Sequence, residues 1–261
     1  MNGPTLVLAT DLDGTFLGGT EAHRRALYSY LSGRDDVVLI FVTGRDIDFI
    51  AELIRSPGMP RPHYIVGDIG TSIYDGEKLE PIAELEAPIA AKWNSANARV
   101  VEMLRGEPGL RLQSTPFRHR VSYDYDPTEL SHQSVSKIEA AGFDCLLSAD
   151  RYLDVLPKGI SKGPTLVSLV EALELDPESV LVAGDTMNDL SLFETGFKGV
   201  AVGNSEPRLA AAVGRMSNVY RSPLPGTAGI ADAIRHFRFE GDRSIEIEEI
   251  ISGHCLSSTA E

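Results

Sequence analysis

Four aspartates stand in two short polar segments of the sequence, each directly after an apolar run. Asp11 and Asp13 belong to "DLDGT", which follows "LVLAT", while Asp185 and Asp189 belong to "GDTMND", which follows "VLVA". Carboxylates brought close together repel one another unless a cation is present or one of them takes a proton. Mg²⁺ prefers oxygen ligands and leaves positions for water and phosphate oxygens. The four aspartates are therefore candidate ligands of a Mg²⁺ ion, which would also draw in a phosphoryl group.

A phosphoryl group at this place would give four further residues a function. Gly14 of "DLDGT" and Gly44 of "VTGR" would let backbone N–H groups approach the phosphoryl oxygens. The Thr43 hydroxyl would donate a hydrogen bond, and the Lys162 ammonium would offset the negative charge. A turn or a helix start explains each of these residues in isolation, so the prediction depends on all of them occurring together.

The first two aspartates suit the bond-making steps of phosphoryl transfer. A carboxylate that attacks phosphorus forms an aspartyl-phosphate, which divides one difficult displacement into two easier ones. Asp11, at the end of its apolar run, is the candidate nucleophile. Asp13 points to the same side two residues later, so it is the candidate that protonates the leaving alkoxide and then deprotonates the attacking water.

Strands that end at one edge of a sheet would bring these segments together. Apolar β-branched runs end at polar or glycine-containing segments, and helical patterns separate them, which predicts an α/β fold. We expect a Rossmann-like parallel sheet with helices on both faces. In such sheets the ligand site lies beyond the carboxyl ends of the strands, where Asp11, Thr43 and Asp185 would meet. The predicted core strands are 6–9, 37–42, 64–66, 180–183 and 199–202, and the predicted helices are 23–31, 46–55, 164–173 and 229–237.

Residues 82–157 interrupt this alternation. They contain two helix–strand–strand patterns, which are typical of a small antiparallel sheet backed by helices. We expect these residues to form a smaller inserted α+β domain, the cap, whereas residues 1–81 and 158–261 form the core domain. The predicted cap elements are helices 88–104 and 131–141 and strands 110–113, 118–125, 144–147 and 153–156.

Composition and charge exclude several classes of partner. The 261 residues are 43% hydrophobic and carry a formal net charge of −14, which disfavours nucleic acid and anionic membrane surfaces because both require a basic footprint. No stretch approaches the ~20 apolar residues of a membrane-spanning helix, and the N-terminus lacks a secretory signal. We expect a cytoplasmic monomer that acts on a small molecule. Cys145 and Cys255 lack the spacing of metal ligands, which favours free thiols over a disulfide or a zinc site.

Four segments together resemble the motifs of the haloacid dehalogenase superfamily of phosphohydrolases. They are "DLDGT", "VTGR", the lysine of "GISKG" and "GDTMND", and they occur in the order of that superfamily. The resemblance implies that Asp11 is the nucleophile and Asp13 the acid and base. It implies further that Thr43 and Lys162 hold the phosphoryl oxygens and that the cofactor is Mg²⁺.

The resemblance also assigns the last motif and a branch of the superfamily. It implies Asp185 as a Mg²⁺ ligand, Asp189 as another ligand or the partner of one, and Asn188 as a residue that helps to hold the site. The segments "RVSYDYDP", "LDVLPKGISKG", "GDTMNDLSLFET" and "AVGNSEP" are similar to those of sucrose-phosphate phosphatases and their relatives that act on mannosylfructose phosphate. The sequence departs from that branch at Ser72, where a glutamate is common.

The cap is expected to choose the sugar. Every phosphate ester presents the same phosphoryl group to the core motifs, so discrimination has to come from residues that reach the sugar hydroxyls. The candidates are Arg120, Tyr123 and Arg151 in the cap and Lys158 at the return to the core. A surface role remains open for the residues of the cap, and the role of Arg45 is also left open.

The leading prediction is a Mg²⁺-dependent phosphatase of a non-reducing disaccharide phosphate, such as sucrose 6-phosphate or mannosylfructose phosphate. A mannosyl-3-phosphoglycerate phosphatase and a sugar-phosphate mutase are the enzymatic alternatives, since they share the core and the type of cap. The non-enzymatic alternative is a phospho-aspartate module that binds a sugar phosphate for regulation. Asp13 argues against that module, because an acid/base next to a phosphoaspartate would speed its hydrolysis.

Overall fold

The strands of the protein form two separate sheets. The computed structural model describes residues 3–115 and 117–253, and eleven strands occur in these ranges. Seven of them form the large sheet of the core and four form the smaller sheet of the cap. The strands are β1 Leu6–Thr10, β2 Val37–Val42, β3 Tyr64–Gly67, β4 Ser72–Asp75, β5 Leu110–Leu112, β6 Val121–Tyr125, β7 Phe143–Ser148, β8 Tyr152–Pro157, β9 Val180–Gly184, β10 Lys198–Ala201 and β11 Val219–Arg221.

Ten α-helices pack around these sheets within the described part of the chain. Their starts show ordinary capping: the Thr20 hydroxyl accepts from the His23 N–H at the first helix, and Asp46 accepts from the Phe49 N–H at the second. The helices are α1 Glu21–Ser32, α2 Ile47–Leu53, α3 Ala83–Trp93, α4 Asn97–Met103, α5 His132–Ala140, α6 Lys162–Ala172, α7 Leu190–Phe193, α8 Pro207–Ala212, α9 Gly226–His236 and α10 Ser244–Ser252.

The core sheet has the order β11-β10-β9-β1-β2-β3-β4, and all of its pairs are parallel except β3 with β4. Successive residues of β1 point to opposite faces, so Leu6 and Leu8 join one hydrophobic cluster while Val7 and Ala9 join the other. Helices α1, α2, α9 and α10 cover the first face, and α6, α7 and α8 cover the second. The predicted α/β class with helices on both faces is therefore confirmed.

The chain reverses its direction of travel across the sheet at β1. It runs from β1 outwards through β2 and β3, and it later returns to the other side of β1 with β9 and β10. A crevice opens beyond the carboxyl ends of two neighbouring strands at such a switch point. The motif residues that follow β1 and β9 lie at this crevice.

The cap sheet is antiparallel with the order β5-β6-β8-β7, and α3, α4 and α5 contribute to its hydrophobic cluster around Trp93 and Phe143. The single helix predicted over residues 88–104 is wrong, because the chain breaks between α3 and α4. Asn94 and Ser95 both adopt left-handed backbone angles there, with φ of 50° and 51°. Asn tolerates this conformation because its short polar side chain can hydrogen-bond locally.

Two expectations concern the chain as a whole. No helix in the described ranges has the length and apolar character needed to cross a membrane. Cys145 is a free thiol in β7, and burial raises its pKa to about 12. The prediction for Cys255 lies outside the described residues.

Candidate active site

Asp11 and Lys162 form a buried ion pair at the crevice. Asp11 follows β1, and its backbone N–H donates to the Ala183 carbonyl of β9 over 2.9 Å. Lys162 is the first residue of α6 and is fully buried; its Nζ lies 2.6 Å from Asp11 Oδ1. The same Nζ donates to Asp189 Oδ1 at 2.6 Å and to Asn188 Oδ1 at 3.0 Å, which uses all three of its donors. Burial opposes the lysine charge, but the two carboxylates outweigh it and raise the pKa of Lys162.

Three of the four predicted metal ligands lie together. Asp11, Asp185 and Asp189 each offer a carboxylate oxygen, and these atoms lie within 4.8 Å of one another. Burial is the main cause that raises the pKa of Asp11 well above its usual value and that of Asp185 to about 7, with Asp189 adding repulsion to both. One lysine therefore does not neutralise the cluster. An oxygen-only donor set with excess negative charge fits a hard divalent cation such as Mg²⁺.

Asp13 lies outside this cluster and is paired with an arginine. Arg45 donates through Nε to Asp13 Oδ2 at 2.7 Å and through Nη2 to Asp13 Oδ1 at 3.1 Å. Both side chains are about half exposed, with relative accessibilities of 49% and 54%. The structure thus places the Asp13 carboxylate at the mouth of the cavity and does not bring it to the other three, because Arg45 holds it. The same arginine stacks over the Phe49 ring.

The turn after β1 leaves no room for a side chain at Gly14. Gly14 has φ of +79°, and a Cβ there would lie 2.2 Å from Asp185 Oδ2. The next residue, Thr15, donates its hydroxyl to Asp185 Oδ1 at 2.9 Å. Asn204 from the loop after β10 donates to the Gly14 carbonyl at 3.0 Å. Close approach of the two motif segments therefore requires glycine at this position.

Thr43 and Gly44 follow β2 and are fixed by backbone bonds. Thr43 is fully buried; its N–H donates to Val66 at 2.9 Å, and its carbonyl accepts from Ile69 at 3.0 Å. The Gly44 backbone does not need a positive φ, and a Cβ there would meet Ile69 at an ordinary contact distance of 3.4 Å. The Gly44 carbonyl accepts from Arg120 Nη2 at 2.8 Å.

A cavity of about 470 Å³ extends from these residues to the cap. Asp11, Asp13, Gly44 and Asn188 line its core side, and Arg120 lines its cap side. Its other lining residues come from several separate segments of both domains: Arg45, Asp46, Phe49, Ile69, Gln113, Thr115, Phe117, Ser148, Ala149, Tyr152, Asp154 and Thr186.

Three of the four predicted sugar contacts do not line this cavity, which corrects the sequence-based expectation. Lys158 is 70% exposed, and its Nζ bonds Asp144 at 2.6 Å. Arg151 is 63% exposed and pairs with Asp124 at 3.4 Å. Tyr123 belongs to the hydrophobic cluster of the cap, and burial raises its pKa to about 12. Tyr123 was expected at the crevice from its place on a cap strand, and Arg151 and Lys158 from their place at the return to the core. Cap packing and ion pairs hold these side chains elsewhere.

Most residues on the cap side of the cavity could not be identified from the sequence. Gln113, Thr115 and Phe117 lie in the irregular segment between β5 and β6, and Tyr152 begins β8. None of them belongs to a sequence pattern that would distinguish a residue of the cavity from a residue of the surface. Thr15 could have been identified from the sequence, since it is the last residue of the motif "DLDGT".

The fold and the carboxylate site define a phosphohydrolase of the haloacid dehalogenase superfamily. A Rossmann-like sheet carries the four motifs at its carboxyl edge, and an antiparallel cap sheet lies over them. A haloacid dehalogenase-like hydrolase from Bacteroides thetaiotaomicron has the same fold, with a TM-score of 0.64 at 19% identity, over 88% of this chain and 98% of that one. The family model described as "Sucrose-6F-phosphate phosphohydrolase" matches residues 4–238. The chain belongs to this family of phosphatases, which confirms the resemblance seen in its motifs.

Two relatives of similar sequence are named for different phosphorylated glycosides. A glucosylglycerol-phosphate synthase from Pseudomonas anguilliseptica is 41% identical over 246 residues, which cover 93% of this chain and 32% of that protein. A mannosylfructose-phosphate phosphatase from Agrobacterium fabrum is 29% identical over 243 residues, 90% of this chain and 97% of that protein. The chain therefore spans about a third of the first relative and nearly all of the second.

The solved structure of a sucrose-phosphatase is similar to this chain in both fold and sequence. The X-ray structure of the sucrose-phosphatase from Synechocystis, in complex with sucrose and phosphate, has a TM-score of 0.81 and 28% sequence identity to this chain. The match covers 90% of this chain and 98% of that one. Core and cap are thus shared along nearly the whole of that protein.

Proposed function

We propose that the protein is a Mg²⁺-dependent phosphatase that hydrolyses the phosphate ester of a glycoside through an aspartyl-phosphate at Asp11. The observation that carries this proposal is the position of the Asp11 carboxylate. It lies 2.6 Å from the Lys162 ammonium and within 4.8 Å of two further carboxylates, at the floor of a cavity of about 470 Å³ that reaches the cap. Phosphoryl transfer depends on such positioning and charge.

The reaction has two displacements at phosphorus. In the first, an oxygen of Asp11 forms a bond to phosphorus while the bond from phosphorus to the sugar oxygen breaks, and Asp13 gives a proton to that oxygen. In the second, Asp13 takes a proton from water as the water oxygen attacks phosphorus, and the bond from phosphorus to the Asp11 oxygen breaks, which frees inorganic phosphate and restores the Asp11 carboxylate. Asp13 has to exchange its pair with Arg45 for these partners, and both side chains are exposed enough to move.

Asp11, Asp185 and Asp189 are the residues whose carboxylates would hold the metal, and Asp13 follows Asp11 closely enough to contribute. When bound, Mg²⁺ would neutralise the phosphoryl oxygens and the carboxylates that crowd them. Thr15 fixes the orientation of Asp185. The N–H groups of Asp185 and Thr186 donate to Asp189 Oδ2 at 2.9 and 3.0 Å and fix its orientation in the same way.

The remaining phosphoryl contacts come from the ends of β1 and β2 and from the start of α6. The Thr43 hydroxyl and the N–H groups that follow it would donate to phosphoryl oxygens, together with the backbone after Asp11 that includes Gly14. Lys162 supplies positive charge, and Asn188 holds the lysine in place while it faces the cavity.

Residues 82–157 act as the cap domain that selects the sugar, and residues 1–81 and 158–261 form the core domain. Gln113, Thr115, Ser148 and Tyr152 are the neutral polar residues of the cap that line the cavity. Neutral donors and acceptors suit sugar hydroxyls, and the ring of Phe117 offers an apolar face next to them. Cap packing over the site would also exclude water during the reaction.

Two classes of substrate have support. A non-reducing disaccharide phosphate, sucrose 6-phosphate or mannosylfructose phosphate, is favoured by the family model and by the phosphatases among the relatives. A glucosylglycerol phosphate is the second candidate, because the relative with 41% identity is named as the synthase of that compound. This chain belongs to a phosphatase family and is similar to part of that synthase, so it would hydrolyse glucosylglycerol phosphate, the product of the synthase.

The deciding experiment measures phosphate release from these three compounds and from mannosyl-3-phosphoglycerate. We expect one glycoside phosphate to be preferred by at least about 10-fold in kcat/KM. Chelation should abolish activity and Mg²⁺ should restore it, whereas Ca²⁺, which is larger and less strictly octahedral, should substitute poorly. Full activity in excess chelator, or a product that keeps its phosphate, would contradict the proposal.

We also infer that one chain is sufficient for this activity. A single chain brings the proposed nucleophile, metal ligands and cap residues to one cavity, in keeping with the monomer expected from the sequence. Light scattering during gel filtration should give a mass near 28.3 kDa with full activity in that peak. Activity confined to a larger species would contradict this.

A further inference from the structure

Arg120 of the cap reaches across to the core loop that holds the proposed phosphoryl contacts. Its guanidinium donates through Nη2 to the Gly44 carbonyl and through Nη1 to Asp154 Oδ1, both at 2.8 Å. The residue is 4% exposed, and its guanidinium lies 3.5 Å from the centre of the Phe117 ring. The two terminal nitrogens that could have recognised a sugar are therefore already bonded to protein atoms.

The acceptors of Arg120 are themselves held in place. Asp154 is buried in the cap sheet, and it also accepts from the Ser122 hydroxyl on the neighbouring strand. This carboxylate fixes the guanidinium from the cap side. The bond to the Gly44 carbonyl is the core side of the same bridge, so Arg120 connects a strand of the cap to the segment Thr43–Gly44–Arg45.

A turn with unusual backbone angles supports the core side of this bridge. Asp68 and Ile69 have φ of 53° and 58°, and a β-branched residue rarely adopts such values. The Ile69 N–H donates to the Thr43 carbonyl at 3.0 Å, and the Asp68 N–H donates to the Arg45 carbonyl at 3.2 Å. The turn is therefore bonded to both ends of the segment whose middle carbonyl Arg120 binds. Backbone strain of this kind persists only where the surrounding structure enforces it.

The side chain of Asp68 is directed at the same arginine. It is 4% exposed, its Oδ2 accepts from the Ser72 hydroxyl at 2.6 Å, and its Oδ1 lies 3.9 Å from Arg120 Nη2. Within the described residues neither Asp68 Oδ1 nor Arg120 Nε has a hydrogen-bond partner, although both are buried. Two opposite charges with unused bonding capacity thus face each other next to the phosphoryl loop.

We propose that Arg120 is a positioning residue through which the cap completes the phosphoryl site. With the cap against the core, the bond from Arg120 to the Gly44 carbonyl, oriented by Asp154 and Asp68, fixes the loop whose Thr43 hydroxyl and N–H groups hold the phosphoryl oxygens. This inference rests on the proposed function and assigns Arg120 to phosphoryl positioning instead of sugar recognition. The energetics of catalysis favour such a device, since misplacement of a reacting group by about 1 Å can cost about 100-fold in rate.

Steady-state kinetics separate the two roles of Arg120. A sugar contact would affect KM or kcat/KM for the glycoside phosphate and leave p-nitrophenyl phosphate unchanged. A positioning residue predicts that Arg120→Ala lowers kcat for both substrates by a similar factor, about 10- to 100-fold. It also predicts weaker inhibition by inorganic phosphate, the product that both reactions share. Added guanidinium should restore part of kcat in Arg120→Ala by occupying the vacated space between Asp154 and Gly44.

Three further variants make the result decisive. Arg120→Lys, whose ammonium cannot span both acceptors, should fall between wild type and Arg120→Ala. Asp68→Asn should lower kcat for both substrates to a smaller extent, and it tests the bridge without removing the arginine. Arg111→Ala is the matched control, because Arg111 is a cap arginine that is 80% exposed and pairs with Asp124 away from the core. It should leave both reactions unchanged.

The outcomes distinguish this inference from the proposed function. A wild-type protein that hydrolyses neither substrate would contradict both. An active wild type whose Arg120→Ala variant loses activity on the glycoside phosphate alone, without rescue by guanidinium, would overturn the positioning role and return Arg120 to sugar binding. If circular dichroism shows that Arg120→Ala does not fold, Asp68→Asn and Arg120→Lys test the positioning role. Equal losses of kcat on the two substrates support it, and a loss on the glycoside phosphate alone overturns it.

Discussion

The core wall of the cavity and its cap wall differ in charge, bonding and origin. The core wall contains Asp11, whose carboxylate is paired with Lys162 at the start of α6 and whose backbone N–H is bonded to the Ala183 carbonyl of β9. The cap wall combines the buried pair of Arg120 and Asp154 with uncharged residues, among them Gln113 and Phe117 from the loop after β5 and Tyr152 from the start of β8. The core wall is suited to one invariant group, the phosphoryl, whereas the cap wall can vary with the sugar. The difference indicates that the core catalyses the reaction and that the cap selects the substrate.

The largest expected effect is the loss of the nucleophile on the core wall. Asp11→Asn should lower kcat for every phosphate ester by about 10⁴-fold or more, because an amide oxygen is a poor nucleophile. Asp13→Asn should lose about 10²- to 10⁴-fold, the usual contribution of general acid–base catalysis. It should still form phosphoenzyme with p-nitrophenyl phosphate, whose leaving group needs no proton. Mass spectrometry after rapid quenching checks this, and a phosphorylated Asp11→Asn protein would exclude Asp11 as the nucleophile.

A smaller effect is expected from crowding the core wall at Gly14. Gly14→Ala adds a Cβ that would lie 2.2 Å from Asp185 Oδ2 in a left-handed backbone, and we expect a loss of about 1–3 kcal/mol in unfolding free energy together with most activity. Gly58→Ala is the matched control, since Gly58 has φ of +77° with no atom within 4 Å of a Cβ. It should cost only about 1 kcal/mol and keep full activity. Equal effects of the two variants on activity would show that Gly14 is needed for its backbone angle alone.

The charge of the core wall predicts a pH dependence of the metal-free protein. The folded-state pKa of Asp185 is raised to about 7 from its usual 3.8, and that of Asp11 is also raised, chiefly by burial. The unfolded chain therefore releases these protons at lower pH than the folded one, so stability falls as pH rises from about 4 to 7. Mg²⁺ should raise the melting temperature more at pH 7.5 than at pH 5. Asp185→Asn should flatten the metal-free profile, and an unchanged profile in that variant would contradict the assignment.

The smallest effects are expected from charged cap residues that do not reach the cavity. Lys158→Ala and Arg151→Ala remove exposed ion pairs with Asp144 and Asp124, and such pairs contribute about 0–1 kcal/mol. We expect kcat/KM for the preferred glycoside phosphate to stay within about twofold of wild type. A loss above 10-fold would show that the cap moves these side chains to the sugar during turnover.

The sequence indicates which residues of the core wall lie together more readily than it indicates the residues of the cap wall, for a physical reason. Asp11 and Asp185 each follow an apolar strand, and parallel strands bring such ends to one edge, so local patterns were sufficient to predict that their carboxylates lie close together. Lys162 was placed by the order of the motifs. Its three bonds depend on how α6 packs against the loop after β9, which no local pattern encodes.

Sequence patterns do not predict the cap side of the cavity, because tertiary contacts decide the direction of the side chains there. Arg120 does line the cavity as predicted, yet its donors are occupied by Asp154 and Gly44, which are far from it in sequence. Tyr123 and Lys158 were assigned from strand alternation and chain position, whereas packing in the cap and a pair with Asp144 hold them away from the sugar space. Phe117 lies in an irregular segment without any periodicity that could identify it.

The most direct test of the division between the two walls is a ratio of specificities. Gln113→Ala and Thr43→Ala each remove one polar side chain, the first from the cap wall and the second from the buried position next to Gly44 of the core wall. The measurement is kcat/KM for the preferred glycoside phosphate divided by kcat/KM for p-nitrophenyl phosphate. We expect Gln113→Ala to lower this ratio by about 10-fold, since one lost hydrogen bond costs roughly 1–1.5 kcal/mol, and Thr43→Ala to leave it within about twofold while both activities fall. A ratio that is unchanged in Gln113→Ala, or that falls equally in both variants, would contradict the account.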